Sequence, residues 1–546
     1  IIKQTQIMSH TSKIFTTQKV DIPNRSGFDM SFENFLTMKV GTLTPVLCEE
    51  VLPNETYDLG FLGQVQLPPM ATDFYGRVDL RLEAFFVPNR IVWGGWQDFM
   101  TMPVNNPFSP SPVRPTTVPY LKYTGNADNQ MDAKFGKGTL ADYLGFKITV
   151  PASGSVFNFS IPNLLPFLAY HKIYDDWYRN NKIQRPLFVK ANAAASGTDQ
   201  AKLRSMPYQS LATNLFSNPN SMLLNDNTSL FSLHQRNWAK DYYTTAALYP
   251  QASGDTTGST VTSDDNGTFS IGALRAANTL QRWMDRNNVA GERYADQIKA
   301  TFGVYPSDST TDRAIFLGSE SIGIYNKSVF TTAESSSDVN SNPFSGSVGS
   351  KGANAQAVGD GKLIDSFKTT EHGYIIVIAS IVPHATYGTG TRRQLLHHTI
   401  SDFANPLLQG LGEQAIYATE LGDTLPVDPV EKGNIFGYQQ QYSEYKYHDD
   451  EVHGLLRDGG SLESFALQRT FGPATNIVLG TNFVQIPTNY MDQVTSVSST
   501  LSEYGAWANF FFSFKKVSPL SEYVIPTLGD LKDTHKEDIP YRGTML

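Results

Sequence analysis

Residues 77–87 constrain the fold more than any other segment. Val78, Leu80, Leu82 and Ala84 alternate there with Arg77, Asp79, Arg81 and Glu83. Period-two alternation sends the two sets to opposite sides of an extended chain, which predicts a strand with one face in a core and one carrying charge. Phe85, Phe86 and Val87 break the alternation before Pro88, so the end of this strand is expected to be buried on both sides. A second run, 374–382 (YIIVIASIV), is apolar throughout between Gly373 and Pro383 and predicts a strand covered on both faces. Further strands are expected at 46–52, 477–486 and 508–514. Strands scattered from one end of the chain to the other, with hundreds of residues between some of them, imply a β scaffold with large insertions in its loops.

Helices are few. Residues 164–180 carry Leu164, Leu168, Tyr174, Trp177 and Tyr178 at helical spacing, with Pro162 and Pro166 confined to the entry. Residues 271–287 form the best helical pattern: Ser270 is placed to cap it, and Leu274, Ala277, Leu280 and Met284 make one stripe. A shorter helix is expected at 293–302, with Tyr294, Ile298 and Phe302 on one face and Gly303 as its stop. Segments 251–268 and 331–361 are rich in Gly, Ser, Thr and Asp. Such composition buries too little to order itself, so both are expected to be flexible surface.

Composition narrows the function classes. Only 17% of residues are charged, against about 25% in typical globular proteins. Much uncharged polar surface is therefore left for loops or subunit contacts. The net charge of -9 argues against a chain that coats nucleic acid with its whole surface, while leaving room for a local basic patch. The single cysteine, Cys48, excludes an intrachain disulfide and a cysteine metal cluster, and fits assembly in a reducing cytoplasm. No apolar run approaches the roughly 18 residues that span a bilayer. Residues 1–20 are polar, so no leader is expected, and Met8 is a candidate start.

No catalytic motif stands out. The stretch VGDGKL has Gln356 where a phosphate loop needs Gly and Leu363 where it needs Ser or Thr. The run HDDEVH at 448–453 is the densest set of metal-ligand types, but a solvated acidic turn explains it better. His397 and His398 are adjacent and would point apart. Asp175 and Asp176, neighbours on a helix, are expected to be surface carboxylates. Neither Gly-x-Ser-x-Gly nor His-Glu-x-x-His occurs. An enzyme is not expected, and no cofactor or metal. Lys515 and Lys516 follow the aromatic run 510–514, a pattern that suits either single-stranded nucleic acid or the solvated end of a buried strand. Arg392 and Arg393 are a comparable pair.

The N-terminal third carries more specific words: FDMSFENFLTM at 28–38, GTLTP at 41–45, PPMATD at 68–73 and VDLRLEAFFVPNRIVWGGW at 78–96. With AYHKIYDDWYRNN at 169–181, DYYT at 241–244 and the stretches 274–285, 293–303 and 503–528, this order and spacing strongly resemble gokushovirus major capsid proteins of the Microviridae. The resemblance covers nearly the whole chain and is weakest in 191–238 and 251–268. It implies an eight-stranded antiparallel jelly roll with long loop insertions, the whole of 1–546 forming one capsid domain. It further implies a T=1 icosahedral shell of identical subunits around circular single-stranded DNA, found in the virion and assembled in the bacterial cytoplasm. The implied partners are a minor DNA-pilot protein, a small basic DNA-binding protein and a host cell-surface receptor.

On that reading, a protrusion at the threefold axes is expected from 191–301. Gln251, Asp255, Asp264, Asp265 and Asn266 stand in its host-attachment loop. Lys515, Lys516, Lys13, Lys19 and Arg25 are the expected DNA-facing cations. Two other classes fit a β scaffold. One is a carbohydrate-binding or carbohydrate-active protein, which a paired-carboxylate cleft would mark. The other is a filament protein, whose mark is a subunit contact that does not close.

Overall fold

A computed structural model describes residues 25–70, 73–101, 115–190, 199–211, 214–250, 271–291, 293–330, 351–422, 433–472, 477–495 and 500–521. The chain is mainly β, and its centre is a pair of antiparallel sheets. Their strands are β1 (Ser26–Asp29), β2 (Phe32–Met38), β3 (Thr44–Val51), β4 (Thr56–Gln66) and β5 (Val78–Pro88). After a long excursion follow β6 (Ile315–Gly323), β7 (Tyr325–Phe330), β8 (Lys351–Lys368), β9 (Gly373–Pro383) and, after another, β10 (Ala506–Ser518). The first sheet runs β2–β10–β4–β8–β7, with β1 also paired to β10. The second runs β3–β9–β5–β6.

The alternation in 77–87 does what its pattern requires. Val78, Leu80, Leu82, Ala84 and Phe86 face the first sheet in one core with Ile375, Val377, Ala379 and Ile381 of β9. Opposite them stand Tyr57, Leu59, Phe61 and Val65 of β4 and Phe510, Phe512 and Phe514 of β10. The other side of the second sheet is covered too. Phe85 and Val87 of β5 and Tyr374, Ile376 and Ile378 of β9 enter a second core built from residues 91–231. That double cover is why β9 is apolar at every position.

The covering layer is organised by α1 (Leu165–Ile173), nearly every residue of which is buried, and which widens into a π turn at Tyr174–Tyr178. Leu203, Met206, Phe216, Leu224, Leu230 and Phe231 are buried in the same layer. Within the interval 191–301, the described residues from Leu203 to Phe231 therefore contribute to the core. Beyond it lie α2 (Ile271–Ala290) and α3 (Tyr294–Phe302), the latter closed by Gly303 at φ 74°. The expected stripe of α3 is not buried within the chain, since Tyr294 and Phe302 are exposed. Ser270, the expected cap of α2, lies outside the described residues.

Two further expectations fail in this part of the structure. Residues 477–486 are not a strand: a short helix, Thr481–Val484, interrupts them. Leu479, Phe483 and Val484 sit at helical rather than alternating spacing, and all three are buried in a third, smaller core with Tyr242, Tyr243 and Tyr387. Residues 351–361 are not a flexible loop but most of β8. Ala353, Ala355 and Ala357 alternate into the core, where small side chains fit against the large ones of the facing sheet. Residues 331–350 lie outside the described residues.

The covering layer holds a buried pair of imidazoles. His171 Nε2 donates to the Leu230 carbonyl (2.7 Å), so its Nδ1 accepts from His234 Nε2 (2.7 Å). The His234 ring stacks on Tyr174, with centroids 3.8 Å apart. Burial pushes the His171 imidazole down to about 4 and holds His234 well below its usual value. Both therefore fold neutral, while the unfolded chain protonates them below pH ~6.5. Their stabilisation is full above that value and lost as the pH falls towards 4. At pH 5 the loss from His171 alone is about 2 kcal/mol. Denaturant unfolding at pH 7 and pH 5 is expected to show a smaller acid loss in His171→Asn/His234→Gln than in the parent. Equal losses would remove the pair as a cause.

Candidate nucleic-acid interface

The two sheets differ in what covers them. On β10 the even-numbered residues from Ala506 to Phe514 point inward and are buried, while Trp507, Asn509, Phe511, Ser513, Lys515 and Val517 point the other way. Strand register sets Trp507 between Thr37 and Gln66, Asn509 between Phe35 and Gln64, and Phe511 between Glu33 and Leu62. Phe35, Leu62, Val358 and Tyr325 are all more than half exposed on the same side. Among the described residues this face is bare, whereas the outer face of the second sheet carries a whole layer of protein. A wide face of exposed aromatic and aliphatic side chains marks an interaction surface.

Its charges are mixed and on balance acidic: Glu33 and Asp360 are exposed on it, and its lysines stand beside carboxylates. Lys362 Nζ lies 3.2 Å from Asp58 and 2.7 Å from Asp365. Lys515 is in register with Asp58 on one neighbour and Asp29 on the other.

The expected DNA-facing cations separate. Lys515 is exposed on the bare face. Lys516, as the next residue of a strand, turns to the opposite side, where its Nζ lies 3.6 Å from Glu55. Arg25 caps a strand end: its Nη2 donates to the Asn54 carbonyl (2.7 Å), Thr56 Oγ1 (2.9 Å) and the Val517 carbonyl (3.3 Å). Lys13 and Lys19 lie outside the described residues, as do Gln251, Asp255, Asp264, Asp265 and Asn266 of the expected attachment loop.

Elsewhere the chemistry-bearing side chains are committed to structure. Asp175 and Asp176 are not solvated surface carboxylates. Asp175 pairs with Arg179 (2.6 Å) and accepts from the Leu187 amide, and Asp176 pairs with Lys172 (2.9 Å) and accepts from the Ala314 amide. The π turn brings both against the covering layer, where they tie its loops together. A cavity of about 430 Å³ is lined by Tyr243, Tyr387, Arg392, Arg393, Asp449 and Glu451 among others. Arg393 pairs there with Glu420 (3.0 Å), and Arg392 with Glu451, which also faces His453 at 3.1 Å. Burial, and then the neighbouring Asp241, push the Asp449 carboxyl up to about 6. No group of three metal-ligating side chains comes together among the described residues.

Sequence reasoning found the aromatic run of β10 but missed that the exposed members of this face are Trp507 and Phe511 together with Phe35 and Leu62. Period-two reading of 506–518 was the available signal, since Trp507, Asn509, Phe511 and Lys515 fall on one parity. The partners on β2 and β4 are too distant in sequence to be paired with them by inspection.

Comparison with known proteins points one way. The family described as Capsid protein (F protein) matches residues 16–528. Capsid protein VP1 of Chlamydia phage 1 is 24% identical over 92% of this chain and 96% of its own length. Capsid protein VP1 of Bdellovibrio phage phiMH2K is 26% identical over 92% of this chain and 95% of its own. Both phages are gokushoviruses of the Microviridae. Capsid protein VP1 of Spiroplasma virus 4 is 26% identical over 35% of this chain.

Proposed function

The chain belongs to the phage capsid protein (F protein) family, and from that premise we propose that it closes a T=1 icosahedral shell around circular single-stranded DNA. The role is structural rather than enzymatic, and the protein is a virion component built into a multi-subunit shell. We read the sandwich as an eight-stranded jelly roll. Strand orders β2–β10–β4–β8 and β3–β9–β5–β6 support this, because consecutive strands repeatedly cross between the two sheets.

The observation that carries the reading is the asymmetry of the sandwich. One sheet is buried under a thick layer of insertions and the other is bare. A shell subunit needs two unlike sides, one facing the host and one facing the genome. In this proposal the bare face, with Lys515 and its aromatic side chains, looks inward on the DNA. The insertion layer looks outward, and the threefold protrusion comes from the later part of 191–301, around α2 and α3. Assembly takes place in the host cytoplasm. The minor DNA-pilot protein joins the shell, and a small basic DNA-binding protein supplies much of the phosphate neutralisation that an acidic chain lacks. Attachment to a host receptor falls to the loop 251–268, with Gln251, Asp255, Asp264, Asp265 and Asn266.

One experiment tests shell and loop together. Negative-stain microscopy is expected to show closed particles both for the parent chain and for a variant with 251–268 replaced by a short Gly-Ser linker. Only the variant is expected to lose attachment to host cells. Open filaments or monomers from the parent would overturn the shell, and unchanged attachment by the variant would overturn the loop.

A further inference from the structure

At one end of the bare sheet the chain forms a groove of about 700 Å³. Its floor is Phe35, Gln64, Gln66, Trp507 and Asn509, drawn from β2, β4 and β10. Its wall is the segment 137–147, which carries Lys137 and Lys147. The wall is fixed: the Tyr143 hydroxyl donates to the Thr37 carbonyl of β2 at 2.5 Å. Asp142, a carboxylate in the lining, is turned back to accept from the Gly138 amide at 3.0 Å. Lys137 and Lys147 are both exposed, and neither is paired with a carboxylate among the described residues.

Each part matches one component of a nucleotide. Phe35 stands opposite Asn509 and Trp507 opposite Thr37, so the two rings are diagonal neighbours across the β2–β10 pair. Such positions lie about 7–8 Å apart, room for one planar base beside or between rings that are 71% and 51% exposed. The carboxamides of Gln64 and Gln66 offer both donors and acceptors, which any base edge can use. Two lysines at the rim answer the backbone phosphates. A duplex cannot present an unstacked base to the rings, whereas a single strand can. A protein partner is the poorer fit, because interface cores are depleted in lysine.

We propose that this groove binds packaged single-stranded DNA, taking a base onto Phe35 and Trp507 and its flanking phosphates onto Lys137 and Lys147. The proposal rests on the genome-enclosing function above and assigns that function a site. Binding is indifferent to sequence and needs no overall positive charge, because stacking supplies what the acidic chain cannot.

Three measurements decide it: cross-linking, oligonucleotide binding, and hydrogen exchange of the two peptides in filled and DNA-free shells. Ultraviolet cross-linking of purified particles, followed by peptide mass spectrometry, is expected to place DNA on the peptides bearing Phe35 and Trp507. With the full chain and a fluorescent oligothymidylate, Trp507→Ala is expected to weaken binding about tenfold or more, and Trp507→Phe to restore most of it. Lys137→Ser/Lys147→Ser is expected to flatten the dependence of log K on log salt by about 1.4. Adducts confined to other peptides, or oligonucleotide binding unchanged in both variants, would overturn the site. Protection of the two peptides in DNA-free shells as well as filled ones would put a second copy of the chain on this face, and would also overturn it. Particles containing no DNA would sink the genome-enclosing reading instead, and the oligonucleotide arm would still decide the groove.

Discussion

Changing Glu83 to alanine is expected to cost about 3–5 kcal/mol of stability, because it strands a buried guanidinium. Glu83 lies on the side of β5 that faces the covering layer. Arg236 grips it with both terminal nitrogens, at 2.7 and 3.0 Å, and also donates to Ser380 Oγ at 3.0 Å. The Tyr178 hydroxyl donates to the same carboxylate, and the Arg236 cation lies 5.2 Å from the Tyr178 ring centroid. Burial alone would raise the Glu83 carboxyl, but the hydrogen bond and charge of Arg236 outweigh it and hold the group below its usual range. The cluster thus joins the second sheet, the end of the α1 segment and the loop at 236. Urea unfolding of the full chain should show the loss. Glu83→Leu/Arg236→Met should recover most of it, because removing both charges leaves neither unpaired. A Glu83→Ala variant within about 1 kcal/mol of the parent would show that the pair is not what holds the layer to the sheet.

Phe510→Ala is expected to cost about 3–5 kcal/mol, as an aromatic side chain lost from a closed core. Phe510 is fully buried between the sheets, opposite Gly63 on β4. A Cβ on Gly63 would lie 3.0 Å from the Phe510 ring, so the glycine makes room for the phenyl group. Gly63→Ala by itself should therefore cost about 1–3 kcal/mol through crowding. Placed in the Phe510→Ala background, the same methyl enters the vacated space and should be neutral or stabilising. A coupling of 1 kcal/mol or more between the two is the expected result of the double-mutant cycle. Strict additivity would mean that Phe510 does not need Gly63.

The strands that were readable in the sequence are those whose environment matches their period. Residues 78–84 alternate because their apolar set alone enters the core between the sheets, and 85–87 and 374–382 do not because both sides are packed in apolar cores. Even there the legible pattern understated the structure. Glu83 falls on the charged face of its strand, yet its partner is a buried arginine 153 residues away rather than water. The first part of β8 was hidden because the residues it sends inward are Ala353, Ala355 and Ala357, which composition alone does not distinguish from a polar loop. Residues 477–486 misled for the opposite reason: a strongly apolar run was folded back into a small local core. Two adjacent lysines cannot share a strand face, so Lys515 belongs to the open side and Lys516 to Glu55. The groove was out of reach, since Phe35, Gln64, Lys137 and Trp507 meet only once both sheet edges and the covering layer are in place.

The position of β10 ties shell building to the clock of translation. This strand fills the slot between β2 and β4, although about 450 residues separate it from them. Until it arrives, both neighbours have an open edge, and the first sheet lacks the phenylalanines that close the core. At roughly 5–20 residues per second the ribosome needs on the order of 20–90 s to reach it. A chain cut short anywhere in that interval has neither a finished core nor a finished first sheet. Subunits competent to join a shell are thereby restricted to those read through β10, and the fold screens out chains truncated before it without a separate inspector.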